Sequence, residues 1–109
     1  MADSLGRPGI WPVIESFKDA GTEDVFNDHH TRAARRVCPE RIWRIARRKL
    51  EQLDSVRELR FLAVPPANRL EALKGDRKGQ HSIRINDRYR VVFTWSALGA
   101  VDVEIVDYH

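Results

Sequence analysis

Alternating hydrophobic and polar residues fill the last third of the chain in three short runs. These are "HSIRIN" at 81–86, "YRVVFTW" at 89–95 and "AVDVEIVDYH" at 100–109, with turn signals at Asn86-Asp87 and Gly99. A period of two residues predicts antiparallel strands with one buried face. The residues predicted to face inward are Ile83, Ile85, Tyr89, Val91, Phe93, Trp95, Val101, Val103 and Ile105.

Before these strands, the apolar residues recur with the spacing of a helix. Apolar residues three and four positions apart predict an amphipathic helix from about Pro39 to Asp54, and a proline suits the first turn because the N–H it lacks has no helical partner there. The predicted apolar stripe is Ile42, Ile45, Ala46, Leu50 and Leu53, and another face carries Arg41, Arg44 and Arg48.

Upstream of this helix the patterns are shorter. "VIESF" at 13–17 is predicted to be a short strand, and Thr22 offers a hydroxyl to cap a short helix through "EDVFNDH". The two prolines of "VPPANR" at 64–69 predict a connector. Helices followed by an antiparallel meander predict a small α+β domain.

The length of 109 residues fits one domain, expected at 13–109, after a loose N-terminal extension at 1–12. One cysteine, Cys38, excludes an intrachain disulfide and is expected to be a plain buried residue. No apolar run approaches the ~20 residues of a membrane span, and the first residues lack the pattern of a secretory signal. The sequence therefore predicts a cytoplasmic protein without a membrane partner.

Positive charge is concentrated in two blocks, although the net charge is only +3. One block runs from Arg32 to Lys49 and opposes its cations with Glu40 alone; the other runs from Leu70 to Trp95. Such blocks attract a polyanion, of which RNA or DNA is the commonest. A solvated helix face and a charged hairpin explain the same charges, so both interpretations stay open.

The second block contains a tighter constraint. The alternation places Arg84 and Arg90 on the same, non-core face of one hairpin, where cross-strand residues are only ~5–8 Å apart. Two guanidinium groups at that distance repel each other unless an anion lies between them. Acidic partners such as Glu104 on the next strand are the alternative.

The chain offers chemistry that needs no metal. His29 and His30 are adjacent and have no second ligand cluster, and no phosphate-binding glycine motif occurs, so neither a metal nor a cofactor is expected. Fixed positive charges together with groups that exchange protons suit RNA cleavage by the ribose 2′-OH. The residues of this kind are Lys74, Arg90, Asp107, Tyr108 and His109. Taken singly, a terminal histidine is more often frayed, and Tyr108 is more often a core or edge residue.

"LEALKGDRKGQHSIRINDRYRVVFTW" followed by "VEIVDYH" resembles the HigB toxins of the RelE/ParE group, and the similarity runs from about Val13 to His109. The resemblance implies helices packed on a curved antiparallel sheet, and a ribosome-dependent, metal-independent endoribonuclease that cuts mRNA in the ribosomal A site. It also implies a HigA-like helix-turn-helix antitoxin, through which operator DNA is mainly bound. By matching positions, Lys74 and Arg90 are expected to stabilise the phosphate transition state, and Asp107, Tyr108 and His109 to handle protons and orient the message. The backbone of the RNA is expected to contact Arg77, Lys78, Arg84 and Arg88.

One position departs from this pattern, and two other functions remain open. Glu71 stands where some relatives have histidine, which leaves more of the acid–base chemistry to the C-terminal residues. A protein of this fold could instead inhibit gyrase or the ribosome by docking without cutting. An inactive toxin that serves mainly as a co-repressor is the third interpretation.

Overall fold

The computed structural model describes residues 13–108, so the expected extension at 1–12 and the terminal His109 lie outside it. The strands are β1 (Val13–Ile14), β2 (Glu71–Ala72), β3 (His81–Arg84), β4 (Tyr89–Ser96) and β5 (Gly99–Asp107). The α-helices are α1 (Ala20–Phe26), α2 (Arg32–Val37) and α3 (Trp43–Leu53). Short 3-10 turns occupy Glu40–Ile42, Leu59–Ala63, Pro66–Asn68 and Gly75–Arg77. None of the helices within 13–108 has the length and apolar character needed to cross a bilayer.

The five strands form one sheet in the order β1-β5-β4-β3-β2. The predicted α+β class is confirmed, and so are the three alternating strands. The sheet is mixed rather than wholly antiparallel, because β1 pairs with β5 in parallel. A parallel pair needs a long crossover, which the helical layer between the two strands supplies. Gly99 makes this pairing possible, since its φ is +125° and a Cβ there would come within 1.9 Å of the Val13 carbonyl oxygen.

The core lies between the helices and one face of the sheet. Ile83, Ile85, Tyr89, Val91 and Phe93 all belong to it, as the alternation predicts. On β5 the alternation is broken by a register shift opposite Val92 and Thr94, where Asp102 has a φ of +53°. This irregularity puts Ala100 in the core and leaves Val101 only half-buried, so the predicted inward position of Val101 is wrong.

Helix α3 buries Trp43, Ala46, Leu50 and Leu53 against the sheet. It is shorter than the predicted helix because its first turn winds as a 3-10 turn after Pro39. Ile45 was predicted to belong to the apolar stripe, yet its side chain is 43% exposed. Its position lies outside the arc that Ala46, Leu50 and Leu53 define, at 100° per residue.

Two helix caps differ from the sequence prediction. Asp19 caps α1, since its Oδ1 accepts the Thr22 N–H at 2.6 Å. Thr22 is buried within α1, and its Oγ1 accepts the Ile105 N–H of β5 at 3.0 Å. The hydroxyl thus ties the helical layer to the sheet instead of capping the helix. Helix α2, which the sequence reading missed, is capped by Thr31.

Cys38 is buried at the end of α2, as expected. Its carbonyl oxygen accepts the Trp43 Nε1–H at 3.0 Å, which joins α2 to the start of α3. Burial in apolar surroundings raises the pKa of the Cys38 thiol to about 12. The thiol is therefore a neutral packing residue at ordinary pH.

The other face of the sheet is partly covered by its own chain. Leu73, Ser82 and Val92 are buried but lie outside the main core cluster. The cover is the segment from Glu71 to Gln80, which begins with β2 at the sheet edge and folds back through the 3-10 turn. Arg77 fixes it to β5, because its Nη1 lies 3.2 Å from Glu104. The predicted basic loop is thus held against the face that carries Arg90.

Candidate active site

Arg90 is the centre of a cluster on the outer face of the sheet. Its Nη1 lies 2.7 Å from Oε1 of Glu71 and donates to Oγ of Ser82 at 3.3 Å. Its guanidinium carbon lies 5.1 Å from the centroid of the Tyr108 ring. The Arg90 side chain is 16% exposed, whereas that of Glu71 is 50% exposed. The cation is therefore fixed by three neighbours and still reaches solvent.

Strand pairing brings these residues together from three separate parts of the sequence. Glu71 of β2 is the cross-strand partner of Ser82 of β3, and Arg84 of β3 is the partner of Arg90 of β4. Tyr108 follows β5, and its backbone N–H donates to the Arg88 carbonyl at 2.6 Å. The geometry thus places Tyr108 against Arg90, a contact that combines cation–π attraction with packing.

Glu71 and Ser82 are the members of the cluster that the sequence did not predict as site residues. Glu71 stands three residues before Lys74, and the sequence marks it only as a departure from the family resemblance, in which some relatives have histidine. The structure makes it the ion-pair partner of Arg90. A carboxylate this close to a fixed cation and open to solvent can accept a proton, or can occupy the place of an incoming phosphate.

Asp107 forms an ion pair with Arg88, which is not the arrangement expected of a proton-transfer group. Its two carboxylate oxygens accept from Arg88 Nε at 2.8 Å and Nη2 at 2.7 Å. Hydrogen bonding to Asp107 and the charge of that carboxylate raise the pKa of Arg88 further above its usual value. This bidentate ion pair holds the end of β5 beside β4, immediately before Tyr108.

The remaining predicted RNA-binding residues fall into two groups. Arg77 pairs with Glu104, and Arg84 with Asp87. Acidic partners therefore do accompany Arg84 and Arg90, but the suggestion of Glu104 as that partner is wrong, because Glu104 binds Arg77 and Lys18. Lys78, like the predicted catalytic residue Lys74, is exposed and makes no side-chain hydrogen bond or ion pair with other residues in 13–108.

Lys74 therefore stays a predicted site residue that no contact joins to Arg90 or Tyr108. It stands just before the Gly75–Arg77 turn, two residues beyond β2. His109 lies outside the described residues. No group of three or more potential metal ligands occurs from Val13 to Tyr108.

A groove of about 700 Å³ adjoins the cluster at the β2 edge of the sheet. Leu70, His81 and Trp95 contribute to its walls, and Glu71 lines it as well. Glu71, the ion-pair partner of Arg90, therefore lies at the margin of an open groove.

The fold agrees with the comparisons with known proteins. Residues 15–109 match the model of the HigB-like toxin family, described as the RelE-like toxin of type II toxin-antitoxin system HigB. The chain therefore belongs to the HigB family of RelE-like toxins, and a toxin of a type II system has a cognate antitoxin.

Two relatives illustrate the range of similarity. Toxin HigB-1 of Vibrio cholerae serotype O1 is 40% identical over 79 residues, which cover 72% of this chain and 80% of the relative. An uncharacterized protein of Haemophilus influenzae is 29% identical over 70 residues, which cover 64% of each chain.

Proposed function

We propose that this toxin is an endoribonuclease that cuts messenger RNA in the ribosomal A site and is neutralised by a HigA-like helix-turn-helix antitoxin. The observation that carries the proposal is the convergence of Glu71, Arg90 and Tyr108 on one solvent-accessible face. Cleavage of RNA by its own ribose uses a proton acceptor and a fixed cation, and an aromatic ring can stack on a base to position the message.

The proposed reaction begins when the 2′ oxygen attacks the adjacent phosphorus, and it ends when the bond from phosphorus to the 5′ oxygen breaks. Negative charge grows on the non-bridging oxygens between these events. Arg90 would stabilise that charge, and Lys74 would add a second cation if the bound RNA draws it in. Because Ser82 and Tyr108 hold the guanidinium in place, little reorganisation is needed as the charge develops.

Two protons have to move in this reaction. Glu71 is the group we assign to the proton of the 2′-OH, because its carboxylate is half-exposed beside Arg90. The 5′ oxygen needs a proton in return, and His109 remains the residue proposed to deliver it. Tyr108 would stack on a base of the message, while Asp107 would act with Arg88 to hold Tyr108 in position.

The other arginines on the outer face of the sheet are suited to binding the RNA backbone. Arg77, Arg84 and Arg88 are each ion-paired yet partly exposed, so a phosphate could displace or share their partners. The reaction as proposed uses no metal and no cofactor. Operator DNA would be bound mainly through the antitoxin.

The test compares the wild-type toxin with Arg90→Gln in induced cells and on purified programmed ribosomes. We expect new 5′ ends within codons for the wild type, and a rate about 10²–10³-fold lower for Arg90→Gln, typical of losing one fixed transition-state donor. Binding of the antitoxin should not change. Arg69→Gln is the matched control, since Arg69 is exposed and has no ion-pair partner within 13–108.

Growth arrest by the wild type without any new 5′ end would mean that the toxin docks without cutting, and the proposal would fail. Efficient cleavage of naked RNA by the purified protein would contradict its dependence on the ribosome.

A further inference from the structure

Helix α3 presents a row of arginines on the side opposite its buried stripe. Arg41, Arg44 and Arg48 are all exposed, and their spacing of three and four residues puts them on one face. Arg41 belongs to the 3-10 turn that leads into the helix. Together, these three residues form the α3 arginine face.

No ion pair within the described part of the chain neutralises the α3 arginine face. Its three side chains make no ion pair or hydrogen bond with other residues of 13–108. Two neighbouring acids are engaged elsewhere, since Asp28 pairs with Arg47 at 3.4 Å and Glu40 with Arg35 at 3.8 Å. Glu51 is exposed on the same side of α3, three residues beyond Arg48, and lowers the charge of this side without forming an ion pair with the three arginines. Like charges at this helical spacing destabilise a helix by ~0.2–0.5 kcal/mol per pair. The face therefore keeps an excess of positive charge in the folded chain.

The α3 arginine face also lies far from Arg90. The buried side of α3 packs on the core face of the sheet, while Arg90 projects from the other face. The thickness of the sheet and of the helical layer separates them, and packed layers are about 10 Å apart. A ligand that touches both surfaces has to surround the molecule.

The chemistry of the face favours a nucleic-acid backbone over a protein partner. Guanidinium groups match phosphate geometry with two parallel hydrogen bonds. A protein interface of useful affinity would need a cluster of apolar anchors, but the large apolar residue exposed on this helix is Ile45. The adjoining helix α2 adds Arg32 and Arg36, which are also exposed and without partners in the described residues.

We propose that the α3 arginine face binds the phosphate backbone of ribosomal RNA and so holds the toxin on the ribosome while the opposite face engages the message. This inference rests on the proposed ribosomal site of action. It adds a second contact surface that takes no part in bond cleavage.

The test measures ribosome binding by Arg44→Gln/Arg48→Gln over a range of salt concentrations. Each lost phosphate contact should reduce the slope of log K against log salt by about 0.7–0.9, so the double variant should lose roughly 1.4–1.8. Its affinity at physiological salt should fall at least about 10-fold, whereas the cleavage rate at saturating ribosome should match that of the wild type. Lys18→Gln/Arg69→Gln removes the same charge elsewhere and should bind ribosomes as the wild type does.

An unchanged affinity of the double variant, or an equal loss in the control, would overturn the inference. So would loss of antitoxin binding with ribosome binding intact, because the face would then belong to the antitoxin. A wild type that binds ribosomes through this face but cuts nothing would support the inference and refute the nuclease. A wild type that does not bind ribosomes would refute both.

Discussion

The two basic surfaces of this toxin differ in how their charges are held. On the outer face of the sheet, Arg77, Arg84, Arg88 and Arg90 each contact a carboxylate. On the α3 arginine face, the three cations have no such partner among residues 13–108. An ion pair lowers the local net charge but fixes the position of the guanidinium group. An arginine without an ion pair keeps its full charge, and its side chain is less restrained.

This difference matches the two tasks proposed here. Stabilising a transition state needs a donor already in place when charge develops. Holding a large polyanion needs accumulated charge and little precision. Charge counted along the sequence gives eight cations against one acid in the first block and six against three in the second, but it does not show which cations are paired in space.

The largest effect is expected from a change to Glu71, the acidic partner of Arg90 on the outer face of the sheet. It tests whether the Glu71 carboxylate takes part in RNA cleavage. Glu71→Gln keeps the shape of the side chain but removes its ability to accept a proton. We expect single-turnover cleavage on ribosomes to fall about 10²–10⁴-fold, the usual range for a lost general base. Glu40→Gln is the matched control, since Glu40 is also paired with an arginine, Arg35, at 3.8 Å and does not line the groove beside Glu71.

Glu71→His should recover part of the lost rate, with a dependence on pH near the ordinary histidine pKa of about 6.5. A rate that rises in Glu71→Gln would instead show that the carboxylate shields Arg90 from phosphate, and the assignment of Glu71 as proton acceptor would be wrong.

A smaller effect is expected from changes to the ion pair of Asp107 and Arg88. These changes test whether Asp107 positions Tyr108 or transfers a proton itself. Asp107→Asn should lower the cleavage rate about 10-fold, because Tyr108 follows directly and loses its anchor. Stability should hardly change, as for other exposed pairs. The swapped variant Arg88→Asp/Asp107→Arg should restore most of the rate if Asp107 only positions Tyr108. A swap that folds but stays as slow as Asp107→Asn would make Asp107 a proton-transfer group, as the sequence suggested.

The smallest effect concerns the packing beneath the α3 arginine face. The pKa of Cys38 is about 12 in the folded chain, above its ordinary value, so the folded state keeps a proton that the unfolded state releases above about pH 9. The stability contributed by the neutral thiol is therefore full below pH 9 and is lost as the pH rises towards 12. Cys38→Ala should cost about 1 kcal/mol at pH 7 but should lack this alkaline loss. Denaturant unfolding at pH 7, 9 and 10.5 measures the difference, and equal alkaline slopes in both proteins would contradict it.

Much of the fold could be predicted because its signals are local. The alternation of Ile83 and Ile85, and of Tyr89, Val91 and Phe93, depends only on the two-residue period of a strand. It failed at Val101, because the irregularity at Asp102 arises from pairing with a strand that the local pattern does not contain. Thr22 was misassigned for a related reason: its hydroxyl has a partner, Ile105, 83 residues away.

For the candidate site, the sequence by itself determined which side chains were available and that Arg84 and Arg90 share a face, because residue type and strand period are written into the chain. Only the tertiary structure decided how the charges are paired. It gave Glu71 to Arg90, Asp107 to Arg88 and Glu104 to Arg77, and it left the three residues of the α3 arginine face without an ion-pair partner among the described residues. The physical reason is that an ion pair forms over a few ångströms in space, and strand order brings together carboxylates and cations whose distance along the chain carries no signal.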